Sequence, residues 1–120
     1  MAMPARVFVW YGHPLFARAM EALLRRQGME LVGVAGEAGE AVASILRCRP
    51  DVVVADSIVE REHPLAITEI IRVCQRIRVL VLDLIEDGMR IYDGQGSGAG
   101  RLEAIVQAIE EAVPHPAPAA

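Results

Sequence analysis

The sequence contains no lysine, and all 12 of its basic residues are arginines. Set against 16 acidic residues, they leave a formal net charge of −4, and aromatic residues make up only 4% of the chain. Proteins that bind nucleic acids usually carry a basic surface, and those that bind single strands also offer aromatic rings for stacking. Here the arginines are scattered apart from short clusters at positions 25–26, 47–49 and 72–78. This composition argues against direct binding to DNA or RNA.

Long apolar runs and cysteine motifs are missing as well. No stretch approaches the roughly 20 apolar residues that a membrane span needs. The first residues lack the basic segment, apolar core and cleavage site of a signal peptide. The two cysteines, Cys48 and Cys74, do not have the CxxC spacing of metal sites. We therefore expect a cytoplasmic protein with two free thiols, no metal and no membrane association.

The residues that are present predict one compact domain. Hydrophobic residues make up 53% of the 120 positions, enough for a single buried core. We expect residues 1–113 to form this domain and the Pro-rich residues 114–120 to be a disordered tail.

Short apolar runs alternate with segments of helical spacing along the chain. The runs predict buried strands, and the amphipathic segments predict helices. The predicted strands cover 6–11, 30–35, 51–55 and 78–82, and the predicted helices follow Pro14, span 38–47, follow Pro64 and span 102–113. Residues 57–63 are expected to be a loop. This alternation indicates an α/β fold with a doubly wound, mostly parallel, five-stranded sheet and helices on both faces.

Polar residues follow three of the predicted strands. Because parallel strands end at a shared edge of the sheet, functional groups gather there in folds of this kind. The residues expected in this neighbourhood are Tyr11, Gly12, His13, Asp56, Ser57 and Asp83.

Three segments of the first half of the sequence are distinctive: HPLF, VGVAGEAGEA and RPDVVVAD. Together with the later run PLAITEIIRVCQRIRVLVLD, they resemble the receiver domain of two-component response regulators, in particular receivers that precede helix-turn-helix outputs. The resemblance implies a flavodoxin-like fold. It also implies a phosphoacceptor aspartate after the third strand, an acidic pair that holds Mg²⁺, a hydroxyl after the fourth strand, and a lysine and an aromatic residue near the fifth.

Asp56 matches the phosphoacceptor position, and almost nothing else of the phosphorylation machinery is kept. The equivalents of the other positions are Tyr11 and Gly12 for the acidic pair, Asp83 for the hydroxyl, Gln95 nearest to the lysine, Glu60 for a proline, and Tyr92 for the aromatic residue. A phosphoryl group needs a metal or a cation to offset its charge. A site with extra carboxylates and no lysine is electrostatically unsuited to it.

Three functions fit these residues. The leading hypothesis is a stand-alone degenerate receiver without enzymatic activity or cofactor, which binds a protein partner in bacterial signal transduction. A second is a phosphorylatable single-domain response regulator that uses Asp56 in an altered site. A third is a small enzyme or metal protein built on Asp56, Asp83 and His13. For Asp56 and Asp83, two arrangements are open: the carboxylates lie close enough to raise one pKa or to share a cation, or they point apart into water.

The segment after the fourth strand is too short for the receiver's fourth helix. Only eight residues, LIEDGMRI, separate Asp83 from Tyr92, whereas a parallel crossover needs a dozen or more. Asp87-Gly88 is a two-residue turn signal, so we predict a hairpin whose last strand is antiparallel. Residues 94–101, GQGSGAGR, are expected to be a flexible linker.

Without that helix, apolar sheet surface is expected to be exposed. The predicted interaction surface consists of Val79, Val81 and Tyr92. Exposed patches of this kind usually mark association, and homodimers are the commonest oligomers. The partner is therefore expected to be another protein or a second copy of the chain.

Overall fold

The computed structural model describes residues 3–113, and the predicted tail at 114–120 lies outside them. The strands are β1 (Arg6–Trp10), β2 (Glu30–Ala35), β3 (Val52–Asp56), β4 (Arg78–Asp83), β5 (Gly88–Asp93) and β6 (Gly96–Arg101). The helices are α1 (Pro14–Arg26), α2 (Ala38–Cys48), α3 (Ser57–Glu62), α4 (Pro64–Val73) and α5 (Ile105–Ala112), the last preceded by a 3₁₀ turn at Leu102–Ala104.

The strands form one mixed sheet in the order β2-β1-β3-β4-β5-β6. Strands β1 to β4 are parallel to one another, and β5 and β6 are added as antiparallel strands at one side. The predicted doubly wound α/β architecture is confirmed. The sheet has six strands, however, and not the expected five.

The sixth strand comes from the segment that was expected to be a linker. All six residues of β6 pair with β5, from Asp93↔Gly96 to Gly88↔Arg101. The turn is fixed by a close contact, since a Cβ atom on Gly94 would lie 2.7 Å from the carbonyl oxygen of Gln75. The linker prediction was wrong because a glycine-rich segment can be ordered by backbone pairing with a neighbouring strand, which composition does not reveal.

The predicted hairpin after β4 is confirmed, and no helix separates β4 from β5. Its loop has four residues, 84–87, and not two, because Asp83 pairs with Gly88. The Asp83 carboxylate organises this loop by accepting hydrogen bonds from the N–H groups of Ile85 (3.1 Å) and Glu86 (3.0 Å). Asp87 then takes a left-handed conformation (φ 50°), which Asp tolerates better than most residues.

Two apolar clusters cover the two faces of the sheet. Helices α1 and α5 pack on one face and α2, α3 and α4 on the other, as the period-two alternation of the strands dictates. The first cluster includes Val7, Val9, Val54, Leu80, Met20, Leu24 and Ile109. The second includes Phe8, Trp10, Val53, Val79, Val81, Ile45, Val59, Ile67 and Ile70.

Two of the three predicted interaction residues belong to this second cluster. Val79 is 1% exposed and Val81 is 0% exposed. Val59 of α3 and two isoleucines of α4 lie in the same cluster, so these helices replace the cover that the missing helix was expected to provide. The prediction that Val79 and Val81 form an exposed surface was wrong. Tyr92 is half-buried against the cluster.

Within residues 3–113, no helix combines the length and apolar character needed to cross a bilayer. Both cysteines are free thiols; Cys74 is buried and Cys48 half-buried.

The burial of Val81 gives a direct test of this packing. We expect Val81→Ala to lower the free energy of unfolding by about 2 kcal/mol, because it removes two methyl groups from a closed core. Urea denaturation measures the change. Leu84→Ala, in an exposed loop, is the matched control and should stay within about 0.5 kcal/mol of the parent. Equal stability of the two variants would contradict the burial of Val81.

Candidate functional site

The Asp56 carboxylate lies at the carboxyl end of β3 and is 5% exposed. Its Oδ2 atom accepts hydrogen bonds from the N–H groups of Gly12 (2.8 Å) and His13 (2.9 Å). Its Oδ1 atom accepts one from Val59 (3.1 Å). Both oxygens are therefore bound to the backbone, and together they join the β1–α1 loop to the start of α3.

Helix α3 was missed at the sequence level, where residues 57–63 were expected to be a loop. Asp56 is its N-cap, and the bond to the Val59 N–H satisfies one of the free donors of the first turn. Aspartate is a favoured N-cap, and this was the available signal. It was overlooked because a six-residue helix shows too little periodicity. Ser57, predicted as a site neighbour, is the first residue of this helix.

Gly12 occupies the position where the resemblance implies a metal-binding carboxylate. A Cβ atom there would lie 2.6 Å from Cβ of Ile58 and 2.8 Å from Oδ1 of Asp56. Both distances are shorter than real contacts, so the loop requires glycine. The Ile58 side chain therefore fills the space in front of Asp56 that a larger residue at position 12 would need.

The other residues of the β1–α1 loop have local structural roles. His13 is the N-cap of α1, and its Nδ1 atom accepts a hydrogen bond from the Leu15 N–H (3.1 Å). The ring of Tyr11 lies against Gly36 in the β2–α2 loop, where a Cβ atom would be 2.7 Å from it. The structure therefore brings Gly12 and His13 to Asp56 through their backbone, while the side chain of Tyr11 contacts the neighbouring loop.

Asp83 lies at the end of β4, next along the same edge. Its Oδ1 atom is bonded to the β4–β5 loop, as described above. Asp56 and Asp83 thus each accept backbone N–H groups from a different loop. Local hydrogen bonding explains the placement of both carboxylates without a shared proton or cation.

Gln95 does not belong to this neighbourhood. Strand β5 starts beside Asp83 and runs back along β4 to pair Tyr92 with Val79. The following turn, with Gln95, therefore lies at the opposite edge of the sheet. Gln95 was placed near Asp56 because it is nearest in sequence to the lysine position of the receiver pattern, and this placement was wrong because β5 runs antiparallel to β4.

A polar cluster of Glu60, Arg90 and Tyr92 connects α3 to β5. Arg90 Nε (2.9 Å) and the Tyr92 hydroxyl (2.5 Å) both donate to Glu60 Oε2, and a second Arg90 nitrogen contacts Oε1 (2.5 Å). Partial burial raises the pKa of Glu60, but the Arg90 and Tyr92 hydrogen bonds outweigh it and hold this pKa below its ordinary value. The hydrogen bond to Glu60 raises the pKa of Tyr92.

Sequence reasoning noticed Glu60 only as a departure from the family pattern, and Tyr92 as the equivalent of the aromatic position and a part of the predicted interaction surface. Their contact depends on β5 running antiparallel, which places Arg90 and Tyr92 on the sheet face that α3 covers. In the described part of the chain, no three His, Cys, Asp or Glu side chains converge as a metal site would require.

Comparison with known proteins yields structural neighbours only. No family model matches the sequence, and no curated protein matches it. The response regulator PhyR from Brucella abortus is similar in structure, with a TM-score of 0.58 and 27% identity over 66% of this chain and 33% of that one. The anti-anti-sigma factor PhyR from Bartonella quintana gives a TM-score of 0.55 with 24% identity over 68% of this chain and 34% of that one.

A co-crystal structure of the Bartonella quintana PhyR with the anti-sigma factor NepR is similar to a larger part of this chain. The TM-score is 0.59 with 18% identity over 92% of this chain and 47% of that one. The chain thus spans between a third and a half of the length of these proteins. The similarity confirms the receiver-like fold that the sequence resemblance implied.

The Glu60 cluster predicts a pH-dependent contribution to stability. We expect Glu60→Gln to lower the free energy of unfolding at pH 7 by about 1 kcal/mol, because it weakens the ion pair and both hydrogen bonds. The folded pKa lies below the ordinary 4.5, so the contribution is complete above about pH 4.5 and declines as the pH falls through the folded pKa. Urea titrations from pH 7 to pH 3 should show the variant and the parent converging.

Glu103→Gln, at an exposed carboxylate, is the control for the change in net charge. It should differ little from the parent across the same range. A constant gap between Glu60→Gln and the parent at all pH values would contradict the ionised, hydrogen-bonded state of Glu60.

Proposed function

We propose that this receiver-like chain is a protein-binding module of bacterial signal transduction in which Asp56 has a structural role and accepts no phosphate. The observation that carries the proposal is the state of the Asp56 carboxylate, which is buried and bonded through both oxygens to the backbone. The module acts in the cytoplasm through contacts with other proteins and has no enzymatic activity of its own.

The hydrogen bonds of Asp56 oppose its use as a nucleophile. A carboxylate that attacks a phosphoryl donor needs an oxygen that the donor can approach, and Asp56 is only 5% exposed. Here three backbone N–H groups hold the two oxygens, and a charge-assisted bond of this kind is about twice as strong as a neutral one. Attack through an oxygen that these donors hold would weaken the anchor of the β1–α1 loop or of the first turn of α3.

The surroundings of Asp56 also lack the charges that phosphoryl transfer uses. A metal ion and a cation normally offset the negative oxygens of the transferred group. At position 12, glycine packed against Ile58 stands where a carboxylate ligand would be. The nearby Arg90 is already paired with Glu60, and the sequence has no lysine.

The structural neighbours support the choice of partner class. PhyR is described as a response regulator and as an anti-anti-sigma factor, and one structure holds it in complex with the anti-sigma factor NepR. By this analogy, the partner of the present chain is a regulatory protein. Analogy of fold favours the class of function and does not identify the partner.

A second copy of the chain is the partner that the sheet itself suggests. Strand β6 is an outer strand of the sheet, so its outward N–H and C=O groups have no strand neighbour among residues 3–113. Its residues Gly96–Arg101 are small except at the end, and they carry none of the lysines or prolines that protect many edge strands. Two β6 strands related by a twofold axis would pair antiparallel and extend the sheet across a homodimer.

The alternative function is phosphorylation at Asp56, and its support is the position of this residue at the end of β3. The two functions differ in their response to acetyl phosphate with Mg²⁺. We expect the intact mass of the protein to stay unchanged after incubation, while an active receiver treated in parallel gains one phosphoryl group. Asp56→Asn is the matched control because asparagine retains an N-cap oxygen.

An added phosphoryl mass on the parent that is absent from Asp56→Asn would overturn the proposal in favour of the alternative. An adduct that appears on both proteins would lie elsewhere and would leave the structural role of Asp56 standing.

Self-association through β6 gives a separate prediction. Ala99 is exposed near the middle of β6, so Ala99→Lys places like charges close together in a twofold strand pair. We expect the parent to elute as a dimer at high micromolar concentration by size exclusion with light scattering. The variant should dissociate at least about tenfold more readily.

Ala43→Lys, on the exposed side of α2, is the control and should leave the mass distribution unchanged. A parent that remains monomeric at high concentration, or an Ala99→Lys variant that dimerises as well as the parent, would rule out the β6 interface.

A further inference from the structure

A cleft of about 260 Å³ opens at the amino edge of the sheet, on the other side of the molecule from Asp56. Residues 49–51, which connect α2 to β3, form one wall, and residues 74–77, which connect α4 to β4, form the other. The fold thereby brings together two of the arginine clusters that lie far apart in the sequence. None of the residues at the carboxyl edge takes part in this cleft.

Two guanidinium groups of the cleft have no partner in the described chain. Arg49 and Arg76 are exposed, and neither forms an ion pair within residues 3–113. Their neighbour Arg78 differs, because it is paired with Asp93 (3.4 Å) and Glu111 (3.7 Å). The positive charge of Arg49 and Arg76 is therefore free to act on a ligand.

The wall that carries Arg49 is held in place by Arg6. The guanidinium of Arg6 donates to the carbonyl oxygens of Cys48 and Arg49, both at 3.0 Å. Asp51, the one carboxylate of the cleft, accepts a hydrogen bond from the Arg6 N–H (2.9 Å). Asp51 is thus bonded to the backbone, and the two arginines leave the lining with a net positive charge.

The opposite wall is equally constrained. Cys74 and Ile77 are buried in the core, and the carbonyl oxygen of Gln75 lies against Gly94 of the β5–β6 turn. Because both walls are fixed by the fold, a ligand would order little of the chain on binding.

Arg49 also adopts a strained conformation. Its φ of 48° and ψ of 62° are left-handed, which L-residues with a Cβ disfavour. It also precedes Pro50, a position that favours extended backbone. Glycine is the usual residue at such a helix end. Glycine would relieve this backbone strain. Residues that keep a strained backbone conformation are concentrated at ligand-binding and active sites.

The geometry points to a binding site for a small phosphate-bearing ligand, clamped between the guanidinium groups of Arg49 and Arg76. Arginine is suited to phosphate because its planar fork donates two parallel hydrogen bonds to adjacent oxygens. Phosphate offers oxygens in several directions, so two forks from opposite walls can bind it at once, whereas a carboxylate has only one such pair. A cleft of about 260 Å³ has room for inorganic phosphate or a small phosphomonoester. The site is independent of Asp56.

Nuclear magnetic resonance of ¹⁵N-labelled protein tests the site with three probes at matched ionic strength. These are inorganic phosphate, glycerol 3-phosphate and acetate. We expect phosphate to shift the amide signals of residues 49, 51 and 75–77 in a saturable way, and acetate to leave them unchanged. Binding of glycerol 3-phosphate at least as tight as that of inorganic phosphate would identify a monoester as the ligand, and weaker or absent binding would identify free phosphate. Equal shifts with acetate, no saturable shift, or shifts centred on Gly12 and His13 would overturn the proposal.

Two variants distinguish the role of the arginines in phosphate binding from their effect on the stability of the fold. Arg76→Gln should weaken phosphate affinity at least about tenfold. Arg49→Gly should weaken it to a similar extent and also raise the melting temperature by about 4 °C, since glycine relieves the strain. Arg101→Gln, at an exposed position on β6, is the control and should retain full affinity. Unchanged phosphate binding in Arg49→Gly and Arg76→Gln would refute the site.

Discussion

The Asp56 carboxylate connects three parts of the carboxyl edge that would otherwise be separate. It ends β3, caps α3 through Val59, and binds the N–H groups of Gly12 and His13 in the β1–α1 loop. A buried carboxylate is costly unless its oxygens are satisfied, and backbone donors satisfy it here at no cost in side-chain entropy. The same residue that the resemblance marks as a phosphoacceptor is thus bonded to two separate segments of backbone.

The hydrogen bonds between Asp56 and the β1–α1 loop depend on the glycine at position 12. With any side chain at position 12, the loop would collide with Ile58 and with the carboxylate itself. Glycine lets the backbone approach closely enough to donate two hydrogen bonds to one oxygen. In the pattern implied by the resemblance, this position carries a carboxylate, which would repel Asp56 unless a metal ion separated them. Replacing that carboxylate by glycine removes the metal ligand and supplies the N–H donors in one step. In the function we propose, the same glycine therefore accounts for both the missing metal ligand and the hydrogen bonds that hold Asp56.

The sequence was most informative where a pattern is local. The strands β1 to β4, the helices α1, α2 and α4, and the antiparallel turn after Asp83 follow from periodicity and from the short distance to Tyr92. Contacts between segments that are distant in the sequence could not be predicted from such local patterns. The pairing of β6 depends on an edge provided by β5, the burial of Val81 depends on where α3 and α4 pack, and the position of Gln95 depends on the direction of β5. Asp56 itself was located correctly, but its hydrogen bonds involve residues more than 40 positions away.

The two ends of the sheet have acquired different electrostatic character. At the carboxyl edge, Asp56 and Asp83 accept hydrogen bonds from backbone N–H groups, and Glu60 is paired with Arg90 and bonded to Tyr92. This polar cluster also bridges α3 to β5 on the face where the fourth helix is missing, so it takes over part of the structural role of that helix. At the amino edge, Arg49 and Arg76 carry charge that nothing in the described chain neutralises. Since a free charge is what an anionic ligand needs, recognition of such ligands in this molecule belongs at the amino edge, away from the edge that the fold family uses.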